Sequence, residues 1–291
     1  MNQIEFLLIL GGKMKIGGHV STAGGLNVAI DNAVKIGAET IQIFASSPRS
    51  WNFSEPKEED VSLFLEKANK FAISPIFLHG VYLVNLGNSV LLEKSINSLI
   101  QHMLVASSIH AKGVIFHCGS RKSFEFEEVL PQIADAIKEV LSSTPDDVSL
   151  IFENSAGMGS SIGSNFEEIE AIFSKVNNDR LGLCLDTQHC YASGYDLTKD
   201  EGVDLLISQI KPIGIEKILA VHANDSKVPF DAGVDRHENI GEGFIGIKGF
   251  EKIMAVDQLS EVPFLLEVPG FGKVRGPDEE NVNRLKKIRL D

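Results

Sequence analysis

Two spacings of apolar residues alternate along the chain. Short, nearly continuous apolar runs recur at Met14–Val20, Glu39–Phe44, Pro75–His79, Gly113–His117, Ser149–Glu153, Leu181–Asp186, Lys217–His222 and Pro263–Glu267. Runs of this length without polar alternation are expected of strands covered on both faces, as in a parallel sheet. Longer segments with helical apolar spacing separate them: Leu26–Ile36, Glu58–Phe71, Leu91–Ile109, Phe126–Leu141, Phe166–Phe173, Gly202–Ile210, Lys248–Ala255 and Asp278–Ile288. The order predicts eight strand–helix units with no break in composition, hence an α/β fold of the closed (β/α)₈ TIM-barrel type, with an open doubly wound sheet as the structural competitor. No GxGxxG or Walker sequence opens a unit, so no nucleotide cofactor is expected. Residues 1–13 precede the pattern. They read as a disordered tail or a start assigned too far upstream, leaving residues 14–291 as a single domain.

Composition narrows this further. With 291 residues, 43% hydrophobic and 23% charged, the chain can bury a large core and is not a disordered segment. No apolar run approaches the ~20 residues a membrane span needs. The run Phe6–Leu10 is far shorter and lacks the basic flank of a signal peptide. Cys118, Cys184 and Cys190 form no CxxC pair and are expected to be reduced thiols of a cytoplasmic protein. The charge balance is 27 Lys and Arg against 40 Asp and Glu, a net −13. That argues against general coating of nucleic acid but leaves room for a locally basic groove. It also fits a carboxylate-rich metal site, whose ions the formal count omits.

Candidate chemistry lies at the strand ends. The third to eighth apolar runs stop at His79, His117, Glu153, Asp186, His222 and Glu267, and His189 follows Asp186 by three residues. The loop after the seventh run adds Asp235 and His237, spaced so that both can face one point. In a barrel the C-terminal strand ends converge on one rim, where the active sites of this fold sit. Carboxylates crowded there would repel one another and raise each other's pKa unless cations intervened. Mixed imidazole and carboxylate donors suit Zn²⁺, with Mn²⁺ or Fe²⁺ as alternatives, and nine ligands call for two or three ions with bridging carboxylates. Taken singly, a buried histidine is ordinarily a hydrogen-bonded core residue and a strand-end Asp a helix cap. Six strands repeating the pattern go beyond capping. His102 and His110, in a helical stretch, are read as packing or surface residues, and His19 as a group at the barrel mouth rather than a ligand. Cys118 and Cys190 follow proposed ligands but are read as packing.

The segments Ile16–Leu26, His79–Gly87, Phe152–Gly163, Cys184–Asp196, His222–Lys227 and Asp235–Gly243 resemble the endonuclease IV family of apurinic/apyrimidinic endonucleases. The resemblance runs from about Lys15 to the C-terminal helix. It implies a TIM barrel with three Zn²⁺ per chain, Mn²⁺ being an alternative at one site. His79, His117 and Glu153 would hold one ion. Glu153 would bridge to a second, completed by Asp186, His222 and Glu267, and His189, Asp235 and His237 would hold the third. Glu153, with a metal-bound hydroxide, would be the catalytic element. The partner implied is double-stranded DNA with abasic sites, bound by a monomer without a membrane. Arg49, Tyr82 and Leu83 would insert at the lesion and Trp51 would anchor its loop. Cys118 stands where many relatives have proline, and Ser46 where some have lysine in the first DNA-contacting loop.

The implied reaction is hydrolysis of the phosphodiester 5′ to an abasic site, leaving a 3′-hydroxyl and a 5′-deoxyribose phosphate, together with trimming of 3′-blocking groups. Metal ions supply the nucleophile, its orientation and charge neutralisation. Loop cations fit phosphate contact: Arg121 and Lys122, Lys273 and Arg275, and Lys227 and Arg236 beside the seventh-strand ligands. Two alternatives stand. A metal-dependent sugar isomerase on the same barrel would not need the Ser47–Trp51 segment or the Asp235–His237 triplet. A non-catalytic lesion-binding protein would have lost ligands, whereas all nine positions are filled.

Overall fold

The computed structural model describes residues 14–272 and 275–290; the tail expected over residues 1–13, and Lys273, lie outside them. Eight parallel strands close a barrel: β1 (Ile16–His19), β2 (Ile41–Phe44), β3 (Ile76–His79), β4 (Gly113–His117), β5 (Ser149–Glu153), β6 (Leu181–Asp186), β7 (Ile218–His222) and, last in the chain, β10 (Phe264–Leu266). Neighbours pair in sequence order, and β10 closes the ring between β7 and β1. The outer helices are α1 (Val28–Lys35), α2 (Glu58–Lys70), α3 (Leu92–Ser108), α4 (Phe126–Ser142), α5 (Phe166–Val176), α7 (Asp200–Ile210), α8 (Gly246–Met254) and α9 (Glu279–Leu290). Closure excludes the open doubly wound sheet.

The strands are buried almost throughout, which explains their unbroken apolar sequences. Three match their apolar runs end to end, β4, β5 and β6; the others lose one to three flanking residues to loops. Helix α5 runs three residues past Phe173, ending where Asn177 adopts a left-handed conformation (φ 47°). Three short elements escaped the periodicity: helix α6 (Thr187–Ala192) and the antiparallel ribbon of β8 (Asp225–Ser226) with β9 (His237–Glu238). None is long enough to display a repeat.

Side-chain alternation turns this frame into a site. Along β3 to β7 and β10, Phe77, Ile115, Ile151, Cys184, Ala220 and Leu265 point into the barrel and pack as one layer, each 0% exposed. Burying Phe77 alone contributes about 2–3 kcal/mol. The next inward position is two residues on. At the ends of those six strands, or one residue past the end for Glu267, it is occupied by His79, His117, Glu153, Asp186, His222 and Glu267. The dry layer is thus the floor beneath a polar one. Gly17 shows how tightly the strands meet below the rim: a Cβ there would lie 1.7 Å from the Thr40 carbonyl oxygen.

Candidate metal centre

The polar layer is nearly dry, with Glu153, Asp186 and His222 all 0% exposed and His79 and His189 at 2%. Glu153 sits at its middle. Oε2 lies 3.1 Å from His79 Nε2 and 3.4 Å from His117 Nε2, while Oε1 lies 2.8 Å from His222 Nδ1. Asp186 uses both oxygens: Oδ1 accepts the His189 N–H at the start of α6, and Oδ2 faces His222 Nδ1 and His237 Nε2, each at 3.8 Å. The strand-end carboxylate is therefore a helix cap and part of the cluster at once. Capping also presents His189 from the first turn. Asp235 comes in from the loop, Oδ1 3.2 Å from His237 Nε2 and Oδ2 3.5 Å from His189 Nε2.

Three donor groups emerge, each with ligand atoms within 4.8 Å of one another: His79, His117 and Glu153; Glu153, Asp186, His222 and Glu267; and Asp186, His189 and His237. Asp235 borders the last. Two ligands about 2.1 Å from a tetrahedral ion stand roughly 3.4 Å apart, close to the His79 and His117 separations from Glu153. Among the described residues, the buried Nε2 atoms of His189 and His237 make no hydrogen bond despite the nearby Asp235 oxygens. A buried nitrogen left without a partner is costly, and a cation between it and the carboxylates would satisfy both. The residues fit divalent ions.

The second nitrogen of these rings is occupied. Nδ1–H of His79 donates to the Gly80 carbonyl (2.7 Å), that of His189 to the Asn154 carbonyl (2.8 Å) and that of His237 to the Glu267 carbonyl (3.1 Å). This turns each Nε2 inward, where a bound cation would take the place of its proton. The charges are mutually held. Burial alone would lower the His189 and His237 imidazoles, but Asp186 and Asp235 outweigh it and lift them to about 10 and about 9. Burial likewise opposes ionisation of Glu153 and Glu267; His117 and His222 hold Glu153, and His222 and His19 hold Glu267, well below the usual carboxylate range. His19 remains at the mouth as expected, its Nδ1 3.2 Å from Glu267 Oε1.

The rim opens into a recess of about 320 Å³ lined by His79, His117, Asp235 and Tyr82, beside a groove of about 720 Å³ bordered by Ser46, Pro48, Tyr82 and Arg275. Tyr82 is 54% exposed, its ring 5.9 Å from His79 and 5.4 Å from Phe44. Arg49 and Arg236 are exposed, and Lys227 is largely so, 3.6 Å from Glu238. Leu83 and Trp51 are half-buried against the core. Arg121 is not a free loop cation: it pairs with Glu168 at 2.8 Å and braces the loop. His102 is buried, Nδ1 donating to the Ser98 carbonyl, while His110 is exposed just beyond α3. Cys118 and Cys190 are buried thiols, and burial raises the pKa of both.

Supporting residues went unnoticed in the sequence. Asn154 accepts the Asp186 N–H (2.7 Å) and Asn224 donates to Asp186 Oδ2 (2.7 Å) while accepting the Glu267 N–H (2.8 Å). Asp225 accepts backbone N–H groups of Gly241, Gly243, Ile245 and Gly246, tying down the loop after β9. Gln42 touches two of the proposed ligands. The signals were there: Asn154 follows Glu153 directly, Asn224 comes two residues after His222, and Gln42 interrupts an otherwise apolar run.

The fold and the rim cluster define a class: a TIM barrel with a donor set suited to divalent ions at the C-terminal ends of its strands. A family profile described as Xylose isomerase-like TIM barrel matches residues 30–288. Within that class the chain belongs to the endonuclease 4 family. It is 37% identical over 279 residues to the probable endonuclease 4 of Persephonella marina, covering 94% of this chain and 97% of that one. It is 38% identical over 278 residues to the probable endonuclease 4 of Halothermothrix orenii, covering 94% and 100%. The solved structure of endonuclease IV from Thermus thermophilus superposes with a TM-score of 0.82 at 32% identity, covering 95% of this chain and 98% of that one.

Proposed function

We propose that the protein is a DNA-repair endonuclease that hydrolyses the phosphodiester bond 5′ to abasic sites in duplex DNA and also trims blocked 3′ ends. It would act as a monomer with three Zn²⁺ per chain. The observation that carries this reading is the set of overlapping donor groups around Glu153, beneath a recess capped by an exposed tyrosine. His79, His117 and Glu153 would hold one ion, Glu153 with Asp186, His222 and Glu267 a second, and His189, Asp235 and His237 the third. Divalent ions supply a hydrolytic nucleophile at neutral pH and neutralise charge on the phosphate.

The chain's own groups do the rest. Glu153 spans two donor groups, so its two oxygens fix their spacing. Backbone carbonyls hold His79, His189 and His237 in one tautomer, so no reorganisation is needed when substrate enters. Arg49, Lys227, Arg236 and Arg275 offer phosphate contacts on the same rim. Tyr82 shields the recess from bulk water. In the net reaction water oxygen bonds to phosphorus, the bond from phosphorus to the 3′-oxygen breaks, and a proton ends on that oxygen.

The test is cleavage of an abasic-site duplex before and after chelation, with elemental analysis of the same preparation. Close to three zinc per chain, with activity lost on chelation and restored by zinc, is expected. An active preparation holding one ion or fewer would refute the trinuclear site. Turnover of free sugars without cleavage of abasic DNA would favour an isomerase.

A further inference from the structure

Of the four proposed ligand histidines whose second nitrogen is hydrogen-bonded, three are steered by backbone carbonyls, which no substitution removes. The fourth, His222, is steered by a side chain. Its Nε2 lies 2.8 Å from Gln42 Oε1, so Nε2 carries the proton and Nδ1 is left to face Glu153 and Asp186. The amide nitrogen of Gln42 donates to Glu267 Oε1 (2.5 Å) and lies 2.8 Å from His19 Nδ1. Gln42 is itself 0% exposed. Register explains how it reaches so far: it sits beside His19 on β1 and Phe77 on β3, one layer below the rim, and looks across the lumen to β7 and β10. An amide is the neutral group that can accept from an imidazole N–H while donating to a carboxylate. A carboxylate here would repel Glu267, and an aliphatic side chain would leave the His222 Nε2–H without its acceptor and take one donor from Glu267.

We propose that Gln42 is a positioning residue for the middle ion, fixing the His222 tautomer and the Glu267 rotamer together. The inference rests on reading Glu153, Asp186, His222 and Glu267 as one ion's ligands, and goes beyond that reading by naming what holds two of them in place. Loss of an outer hydrogen-bond partner of this kind typically weakens metal binding about 10–100-fold.

The experiment is a titration of metal-free protein with zinc alone against a chromophoric chelator, for the wild type, Gln42→Met and Gln42→Asn. Gln42→Met keeps the approximate volume, so loss of packing is small. Gln42→Asn keeps the amide but is one methylene too short to span both partners. In wild type, three binding steps are expected. In Gln42→Met one step should weaken about 10–100-fold with the other two within about threefold, while unfolding of the metal-free protein shifts little. Gln42→Asn should weaken the same step, by less. Proton NMR of the zinc-loaded proteins adds a readout that packing alone would not move. The buried His222 Nε2–H should be protected from exchange in wild type and lose that protection in Gln42→Met. Unchanged zinc affinities in both folded variants would overturn the role of Gln42 while leaving the metal site intact. A wild type that takes up at most one zinc would instead overturn the site reading and the inference with it. Should Gln42→Met not fold, the zinc affinities of Gln42→Asn decide the matter.

Discussion

Glu153 illustrates what a single residue must satisfy here. A carboxylate fully withdrawn from water costs several kcal/mol unless neighbours compensate. His79, His117 and His222 surround it within 3.4 Å. Because its two oxygens face different donor groups, both depend on its charge. Glu153→Gln nearly preserves the shape while removing that charge. Cleavage of an abasic duplex should fall at least about 100-fold, equivalent to about 2.7 kcal/mol in the barrier. Binding to the same duplex should largely survive, since the exposed rim cations are untouched. Gel-shift and single-turnover measurements on one preparation separate the two, and a variant that cleaves within a few fold of wild type would exclude the bridging role.

At the scale of elements, the loops after β2 and β3 decide what reaches the cluster. Each leaves its strand at the rim, so their side chains sit beside His79. Tyr82 is held at its base by edge-on contact with Phe44 and His79 yet remains half exposed. Extruding a sugar from a duplex costs a few kcal/mol, less where the base is already missing, and side chains that fill the gap offset that cost. Tyr82→Ala and Arg49→Ala should therefore weaken binding to abasic duplex about 10-fold or more, roughly 1.4 kcal/mol, with intact duplex affected much less and zinc content unchanged. Equal loss on both duplexes would reduce these residues to general contacts. Leu83 is packed against the core, so its truncation should lower the unfolding temperature as well as binding.

The whole molecule depends on joining its first strand to its last helix at the opposite face. Arg289 near the end of α9 forms a two-pronged pair with Glu39 before β2 (2.6 and 3.1 Å) and donates to the Met14 carbonyl. Glu39 also accepts the Ile16 N–H at 3.0 Å. These contacts fasten the last helix across β1, where the ring closes. Burial opposes ionisation of Glu39, but Arg289 and the Ile16 N–H outweigh it and depress its pKa below the ordinary 4.5. A depressed carboxyl contributes stability above pH 4.5 that is lost as pH falls through the folded-state value. Since the Glu39 side chain is 32% exposed, screening limits the gain to about 1 kcal/mol. Glu39→Gln should thus unfold a few degrees lower than wild type at pH 7, with the gap closing below about pH 4.5. A gap independent of pH would show that the ion pair is not its source.

Much of this was readable from the chain alone. Unbroken apolar runs and helical spacing are local properties, so the strands, the barrel and the convergence of six strand ends follow from short windows of sequence. The donor types at those ends, His79 through Glu267, already indicated divalent metal chemistry, and long ordered motifs indicated the family. What the chain could not display were contacts between residues far apart in it. Gln42 meets His222 across 180 positions and Glu267 across 225, Arg121 finds Glu168 across 47, and Asp186 divides its oxygens between a cap and a cluster. Such pairings depend on barrel closure and on the register between strands, which bring distant side chains into one dry layer. Periodicity specifies which face a residue takes; only the closed structure specifies which neighbours it meets there.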